Sequence, residues 1–334
     1  MFEGFANVWT PVERAARLQK KPISVELAGE RVALFRGGQG GVGALLDRCP
    51  HRGVALSLGK VASDGCLECP FHGWRFQTGG ACATVPLNPD AKRERLFATA
   101  LPVRERGGLI WVRTSLGADA PDEPQVPPEL EARDHRRWFL VRDWSCHWTR
   151  AMENMLDSPH LPWVHRRTIG RQLRAQLRDD SKMDISVEDT PTGFRTHWAM
   201  DGRESGATLE FTRPNGMSLH IPIGGQRKLT LRVWCVPISA ARTRMVVNST
   251  RNFGRFNPLV RLFDEFSRII VQEDQAIVES SQPPEVPEPA EERSVATDRA
   301  TLRFRRFYFD VLRPSAVDSR KPSLRLAPSA EAVP

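Results

Sequence analysis

Two short strings constrain this chain of 334 residues more than anything else in it: Cys49-Pro-His51 and, after seventeen intervening residues, Cys69-Pro-Phe-His72. Each offers one thiolate sulfur and one imidazole nitrogen. The two loops must therefore meet, so that paired sulfurs and paired nitrogens face a common centre. A two-iron cluster suits that donor set, with the thiolates on one iron and neutral imidazoles on the other, and the imidazoles raise the reduction potential above that of an all-cysteine cluster. A structural zinc ion would also accept His and Cys ligands, and Cys66-x2-Cys69 adds a further donor to that reading. Gly53, Gly73 and the Gly79-Gly80 pair supply the tight backbone turns that such loops need.

The full strings decide between the metals. CPHRG at 49–53 and CPFHGW at 69–74 resemble the Rieske domains of oxygenases and their ferredoxins, and zinc ligation does not explain them. Cys66 is then an ordinary small residue. Rieske proteins of quinol-oxidising respiratory complexes resemble the motif too, but carry an extra cysteine in each loop, joined as a disulfide; here Val54 and Phe71 hold those places. Around the strings, Ile23–Leu27, Arg31–Phe35 and Val42–Leu46 read as strands, with Gly37-Gly38 and Gly40-Gly41 as turn signals, so the first domain is expected to be all-β.

A Rieske domain would end near Val112–Thr114, and some two hundred residues follow it. Among them stands Glu153-Asn154-Met-Leu-Asp157-Ser-Pro-His160-Leu-Pro-Trp-Val-His165. Residues five apart point about 140° apart on a regular helix. For His160 and His165 to share a metal, the backbone must leave helical form between them, and Pro159 and Pro162 are expected to supply the break. Asp157, close to one turn before His160, can accept a hydrogen bond from a ring N–H, the usual support for a metal-bound histidine. The string E-N-x2-D-x2-H-x4-H resembles the mononuclear iron motif of Rieske non-haem iron oxygenases, which implies His160 and His165 as iron ligands.

Iron that activates dioxygen usually takes a carboxylate as third protein ligand. The segment Asn257–Gln282 places apolar residues at 259, 262, 263, 266, 269, 270 and 277, one face of a long helix. Both Glu273 and Asp274 fall within that apolar arc, where an unpaired carboxylate is costly, and geometry does not choose between them. The resemblance does: Glu273-Asp274-x2-Ile277-x-Glu279 looks like the family's third-ligand segment, in which the Asp binds iron.

Gly193–Ala199, Ala207–Thr212, Leu229–Val236 and Met245–Ser249 read as strands of an antiparallel sheet facing that helix. The fold class is accordingly α+β: an N-terminal all-β Rieske domain over residues 1–118, a helix-grip catalytic domain over 119–312, and a loosely held polar tail over 313–334. The Pro- and acid-rich stretches Ala120–Pro128 and Pro283–Glu292 mark joints. His147, His197 and His220 read as packing or surface residues, and Cys82, Cys146 and Cys235 as buried small residues.

Lys and Arg number 48 against 40 Asp and Glu, a formal charge of +8, which favours an acidic protein partner. Scattered basic residues argue against nucleic acid. No apolar run approaches a membrane span, and MFEGFANVWTPVERA lacks a charged start followed by an apolar core, so a cytoplasmic protein is expected. The resemblance covers nearly the whole chain. It implies an oxygenase component that receives electrons from an NAD(P)H-dependent reductase, with or without a ferredoxin, and uses a 2Fe–2S cluster, mononuclear Fe(II) and O2. The substrate would be a small aromatic or related cyclic compound, hydroxylated or oxidatively demethylated. The resemblance also implies a homotrimer whose subunits pass electrons across their interface through Asp157, with Asn154 of the same motif among the catalytic residues. A ring-dihydroxylating dioxygenase is the alternative within the family, and a Rieske electron carrier without catalytic iron the alternative outside it.

Overall fold

The structure, a computed structural model, describes residues 5, 7–115, 123–254 and 260–313. The expected boundary at 118–119 and nearly all of the expected tail lie outside the described residues. Ten strands come first: β1 (Trp9–Arg14), β2 (Ile23–Leu27), β3 (Glu30–Arg36), β4 (Val42–Leu46), β5 (Lys60–Val61), β6 (Leu67–Glu68), β7 (Arg75–Phe76), β8 (Cys82–Thr84), β9 (Val103–Arg106) and β10 (Leu109–Arg113). They form three small antiparallel sheets, ordered β1-β10-β9, β2-β3-β4 and β5-β6-β7-β8. Ala33, Phe35, Leu45, Leu67 and Phe76 fill a core whose edge reaches Cys49 and Cys69.

The second part is one eight-stranded antiparallel sheet, ordered β11-β18-β17-β16-β15-β13-β12 with β14 on β13. Its strands are β11 (Arg136–Trp144), β12 (Met183–Thr190), β13 (Gly193–Met200), β14 (Arg203–Glu204), β15 (Thr208–Thr212), β16 (Gly216–Pro222), β17 (Lys228–Ser239) and β18 (Arg242–Arg251). Among the described residues five α-helices accompany it: α1 (Trp148–Leu156), α2 (Leu161–Val164), α3 (Arg171–Gln176), α4 (Val260–Val278) and α5 (Arg299–Phe307). Cross-strand partners point to one side of a sheet, so the register assigns each face. Phe194, Phe211, Met217, Val233 and Cys235 share the face that meets Trp148 and Met152 of α1 and Phe304 of α5. The opposite face meets the first sheets, where Trp234 packs edge-on to Trp111 at 5.5 Å.

Trp148 anchors the helical layer. It is 4 % exposed and lies edge-on to Phe5, Phe304 and Tyr308, with ring centroids 5.3, 5.8 and 5.5 Å away. Trp148→Ala should lower stability by about 3–5 kcal/mol, read from the denaturant midpoint. A loss under about 1 kcal/mol would mean that the layer does not depend on it.

Two local expectations change. Residues 283–292 form no regular element, yet they are no loose joint: Val286 is buried, and Arg150 and Arg305 hold the Pro283 and Pro287 carbonyls. Among the described side chains of α4 the buried ones are Ser267, Asp274 and Val278, whereas Phe266, Ile269 and Ile277 are 36, 43 and 53 % exposed; positions 259, 262 and 263 of the expected arc lie outside the described side chains. The helix is thus turned from its apolar arc, and it presents polar groups to the sheet.

Two candidate metal centres

The Cys49 and Cys69 loops are one backbone design used twice. Cys49 N–H donates to the Val54 carbonyl at 2.7 Å and Gly53 N–H returns to the Cys49 carbonyl at 2.8 Å; Cys69 N–H donates to Trp74 at 2.8 Å and Gly73 N–H to Cys69 at 3.0 Å. The fifth residue of each loop sits at φ +73° or +70°. That left-handed conformation is easy only for glycine, which explains the shared Gly of CPHRG and CPFHG.

These loops bring their donors together in pairs. The thiols of Cys49 and Cys69 are buried and free of disulfides. Burial, with Cys69 alongside, pushes the Cys49 thiol up to about 11, so a cation is needed to hold the pair as thiolates. The His51 and His72 rings lie 4.7 Å apart, and His51 stacks flat on Trp74 at 4.6 Å. Its Nδ1 is buried without a hydrogen-bond partner, and partial burial, with Arg52 and His72 nearby, lowers its pKa and favours neutral imidazole. Among the described residues, the one set of three or more His, Cys, Asp and Glu whose ligand atoms lie within 4.8 Å of one another is elsewhere. Paired sulfurs and paired nitrogens that do not all converge suit two irons better than one tetrahedral zinc.

That converging set is His160, His165 and Asp274. The two Nε2 atoms are 3.3 Å apart, and Asp274 Oδ1 lies 3.6 Å from His160 Nε2 and 3.1 Å from His165 Nε2. His160 Nδ1 meets Asp157 Oδ2 at 3.1 Å, and His165 Nδ1 meets Glu273 Oε2 at 2.9 Å. A carboxylate accepts only, so each Nδ1 carries the proton and each Nε2 turns a lone pair toward the other and toward Asp274. Asp274 Oδ1 is buried and lacks a hydrogen bond. Burial disfavours charge on His165, but Asp274 and Glu273 together hold its pKa above the ordinary imidazole value. Two imidazoles and a carboxylate around one point are the donor set of a non-haem iron(II) site with open positions.

The route to this geometry differs from expectation in one respect. Pro162 does not break the chain; it sits in the first turn of α2, where a helix tolerates proline. His160 precedes that turn with helical backbone angles, and the chain leaves helical form at His165, with φ −96° and ψ 26°. His147, expected as a packing residue, also caps α1 by accepting from Thr149 N–H.

The two acids of α4 have separate places. Asp274 faces the other donors, and Glu273 orients His165 from behind while accepting from Thr168 Oγ1 at 2.6 Å. Glu273→Ala should therefore weaken iron(II) binding roughly 10- to 100-fold and leave the cluster unchanged, which an anaerobic iron titration reads. Unaltered affinity would mean that Glu273 does not orient His165.

Glu153, the first residue of the motif, lies in a closed ring of charges: Arg150 pairs with Glu153 at 3.2 Å and Glu292 at 2.7 Å, and Arg305 pairs with both acids. The ring fastens α1 to α5 and to the segment between α4 and α5. Arg150 and Arg305 are 10 and 6 % exposed in their side chains, so Glu153→Ala strands buried guanidinium groups. The expected cost is about 3–5 kcal/mol by calorimetry. A cost near zero would show that the ring is solvated.

Two family models match the chain: the Rieske [2Fe-2S] domain over residues 8–99, and the vanillate O-demethylase oxygenase C-terminal domain over 144–219 and 207–311. The chain belongs to the Rieske non-haem iron oxygenases, and the cofactor set is the family's: a 2Fe–2S cluster, mononuclear iron, O2 and NAD(P)H through a separate reductase. It is similar to methylxanthine N1-demethylase NdmA of Pseudomonas putida, 26 % identical over 91 % of this chain and 88 % of that protein. Chlorophyllide a oxygenase of Chlamydomonas reinhardtii is 38 % identical over 51 % of this chain, a match spanning only 26 % of that longer protein. Among solved structures, dicamba monooxygenase bound to dicamba aligns with a TM-score of 0.80 at 22 % identity, covering 94 % of this chain and 99 % of that one, and so supports the fold. No described helix is long and apolar enough to cross a membrane.

Proposed function

We propose that Cys49, Cys69, His51 and His72 hold the 2Fe–2S cluster and that His160, His165 and Asp274 hold the mononuclear iron. The convergence of two Nε2 atoms and one carboxylate oxygen, each Nδ1 tied to its own acid, carries this reading. When bound, the cluster supplies single electrons, and the mononuclear iron uses them to activate O2 beside the substrate. A carrier without catalytic iron would have no use for the second donor set. Residues 1–118 form the electron-receiving domain in this reading, and 119–312 the oxygenating domain.

Asp157 links the centres. Its Oδ2 accepts both from His160 Nδ1 and from His160 N–H, the latter at 2.9 Å, which leaves Oδ1 for a donor outside this chain. The proposed donor is His72 of a neighbouring copy in a homotrimer, with Asn154 beside Asp157 in the same recess. Exposed Leu58, Phe71 and Leu87 in the cluster domain, and Trp163, Ile169, Phe266 and Ile277 in the oxygenating domain, give two apolar surfaces to be covered in such a ring. The charge of +8 suits an acidic reductase or ferredoxin, and a cytoplasmic setting, where such donors are reduced, completes the proposal.

The reaction proposed is hydroxylation or oxidative demethylation of an aromatic or related cyclic compound, in preference to ring dihydroxylation. The match to an N-demethylase over 91 % of this chain and 88 % of that protein supports this. In a demethylation, O2, two electrons and two protons convert a methyl ether to an alcohol, formaldehyde and water. The test is NADH-dependent, reductase-coupled O2 uptake with a panel of methyl ethers and N-methyl heterocycles, with formaldehyde as the product. Formaldehyde matching O2 consumed is expected; a cis-diol product would favour the dioxygenase.

A further inference from the structure

The helical layer ends in a recess away from the iron donors, bounded by the last turn of α5, the turn between β12 and β13, and the end of β15. Its volume is about 300 Å³, at the small end of ligand pockets, which hold roughly 300–1,000 Å³. It shares no lining residue with the recess of Asn154 and Asp157. Helix α5 connects the two: Thr301 lines the Asp157 recess, Phe304 packs on Trp148, and Phe307 lines the new one. From Thr301 to Phe307 the helix advances roughly 9 Å.

Three guanidinium groups meet there, from Arg213 just after β15 and from Arg303 and Arg306 of α5. Arg213 is held in place by the β12–β13 turn, donating from Nε to the Thr192 carbonyl at 3.2 Å and from Nη2 to the Pro191 carbonyl. Carbonyl oxygens orient a guanidinium without cancelling its charge, so Arg213 is positioned yet uncompensated. Arg303 pairs with Asp189 at 2.9 Å. Arg306 is exposed and makes no hydrogen bond or ion pair among the described residues. On the rim, Asp310 is exposed and likewise unpaired. Three cations against two carboxylates leave the recess positive, and Arg303 and Arg306, three apart on one helix, repel each other.

The floor is of a different kind. Phe211 packs against Phe194 at 5.1 Å and against Phe307 at 5.7 Å, and all three rings line the recess. A guanidinium fork matches the oxygens of a carboxylate or phosphate, and an aromatic floor accepts a flat apolar body.

We propose that this recess is a second ligand site, for a small organic oxyanion: a phosphate or carboxylate group held by Arg213 and Arg306, on a ring that lies against Phe307. The site stands apart from the oxygenase chemistry and needs no metal. A ligand there ties α5 to the β12–β13 turn.

The experiment uses the full chain with both metals loaded, in phosphate-free buffer, and measures binding by calorimetry. Phenyl phosphate and benzoate are the probes; inorganic phosphate supplies the anion without a ring, and benzyl alcohol the ring without an anion. At least one aromatic anion should bind at least about tenfold more tightly than either control, and the tighter of the two identifies the headgroup. Arg306→Gln should weaken that binding about tenfold, whereas Asp310→Asn, which removes a repelling charge, should tighten it about two- to fivefold. Neither side chain has a partner in the protein, so both variants should keep the melting temperature of the unliganded chain. Affinity should also persist in Asp274→Ala, because the recess does not include the iron donors. No binding of either aromatic anion, a control that binds as tightly, unchanged affinity in Arg306→Gln, or loss of binding in Asp274→Ala would overturn the proposal.

Discussion

Asp274→Ala should empty the mononuclear site and leave the visible spectrum of the cluster intact. Oδ1 is one of three donor atoms meeting there, and without it two imidazoles remain to hold a cation in a buried place. Water can occupy the vacated position, but it brings no negative charge to offset the metal's. Iron should fall from about three to about two per chain, and substrate-dependent O2 uptake should vanish with it. The cluster residues belong to other loops and other core contacts, so colour should persist. Full iron occupancy in this variant would shift the third ligand to Glu273.

Asp157→Asn tests the link between centres. The amide oxygen can still accept from His160 Nδ1 and N–H, so the turn holding His160 should survive, and both metals should stay. What disappears is the negative charge shared between a ligand histidine and the incoming donor. Coupled product formation should drop at least about 100-fold, while the total iron and the cluster spectrum remain as they were. Rapid-quench single turnover on the pre-reduced protein reads this directly. Product formed at the original rate would rule out the bridge.

The residues of both donor sets stand out in the sequence because metal ligation, where it occurs, fixes residue type and spacing together. The two Cys–His strings close the same turn twice, and each needs a donor, a proline and a glycine at set positions. Strands β2, β3 and β4 were also visible, since apolar runs there are bounded by Gly pairs or polar turns. β11 was not: charged Arg136, Arg137, Arg142 and Asp143 flank a run of only four apolar residues, and only the fold supplies partners such as Asp264 for Arg136 and Arg244 for Asp143.

The rotation of α4 was hidden for a related reason. Periodicity predicts that Phe266, Ile269 and Ile277 face the core, yet the buried side carries Ser267 and Asp274. A helix that presents polar groups inward contradicts local pattern where chemistry needs them, and such conflicts concentrate at functional sites. The sequence marks Glu153 only as part of a motif and Glu273 only as the alternative to Asp274, and shows neither the charge ring nor the support of His165. Their partners, Arg305 and His165, lie 152 and 108 residues away, and no spacing rule joins groups so distant in sequence.

Metal analysis combined with Mössbauer spectroscopy on protein reconstituted with iron-57 and sulfide measures the central claim most directly. The account predicts about three irons per chain, two in an antiferromagnetically coupled pair and one as isolated high-spin ferrous ion, with the isolated signal lost in Asp274→Ala. Two irons per chain with no isolated component, or zinc in the Cys49–Cys69 site, would contradict it.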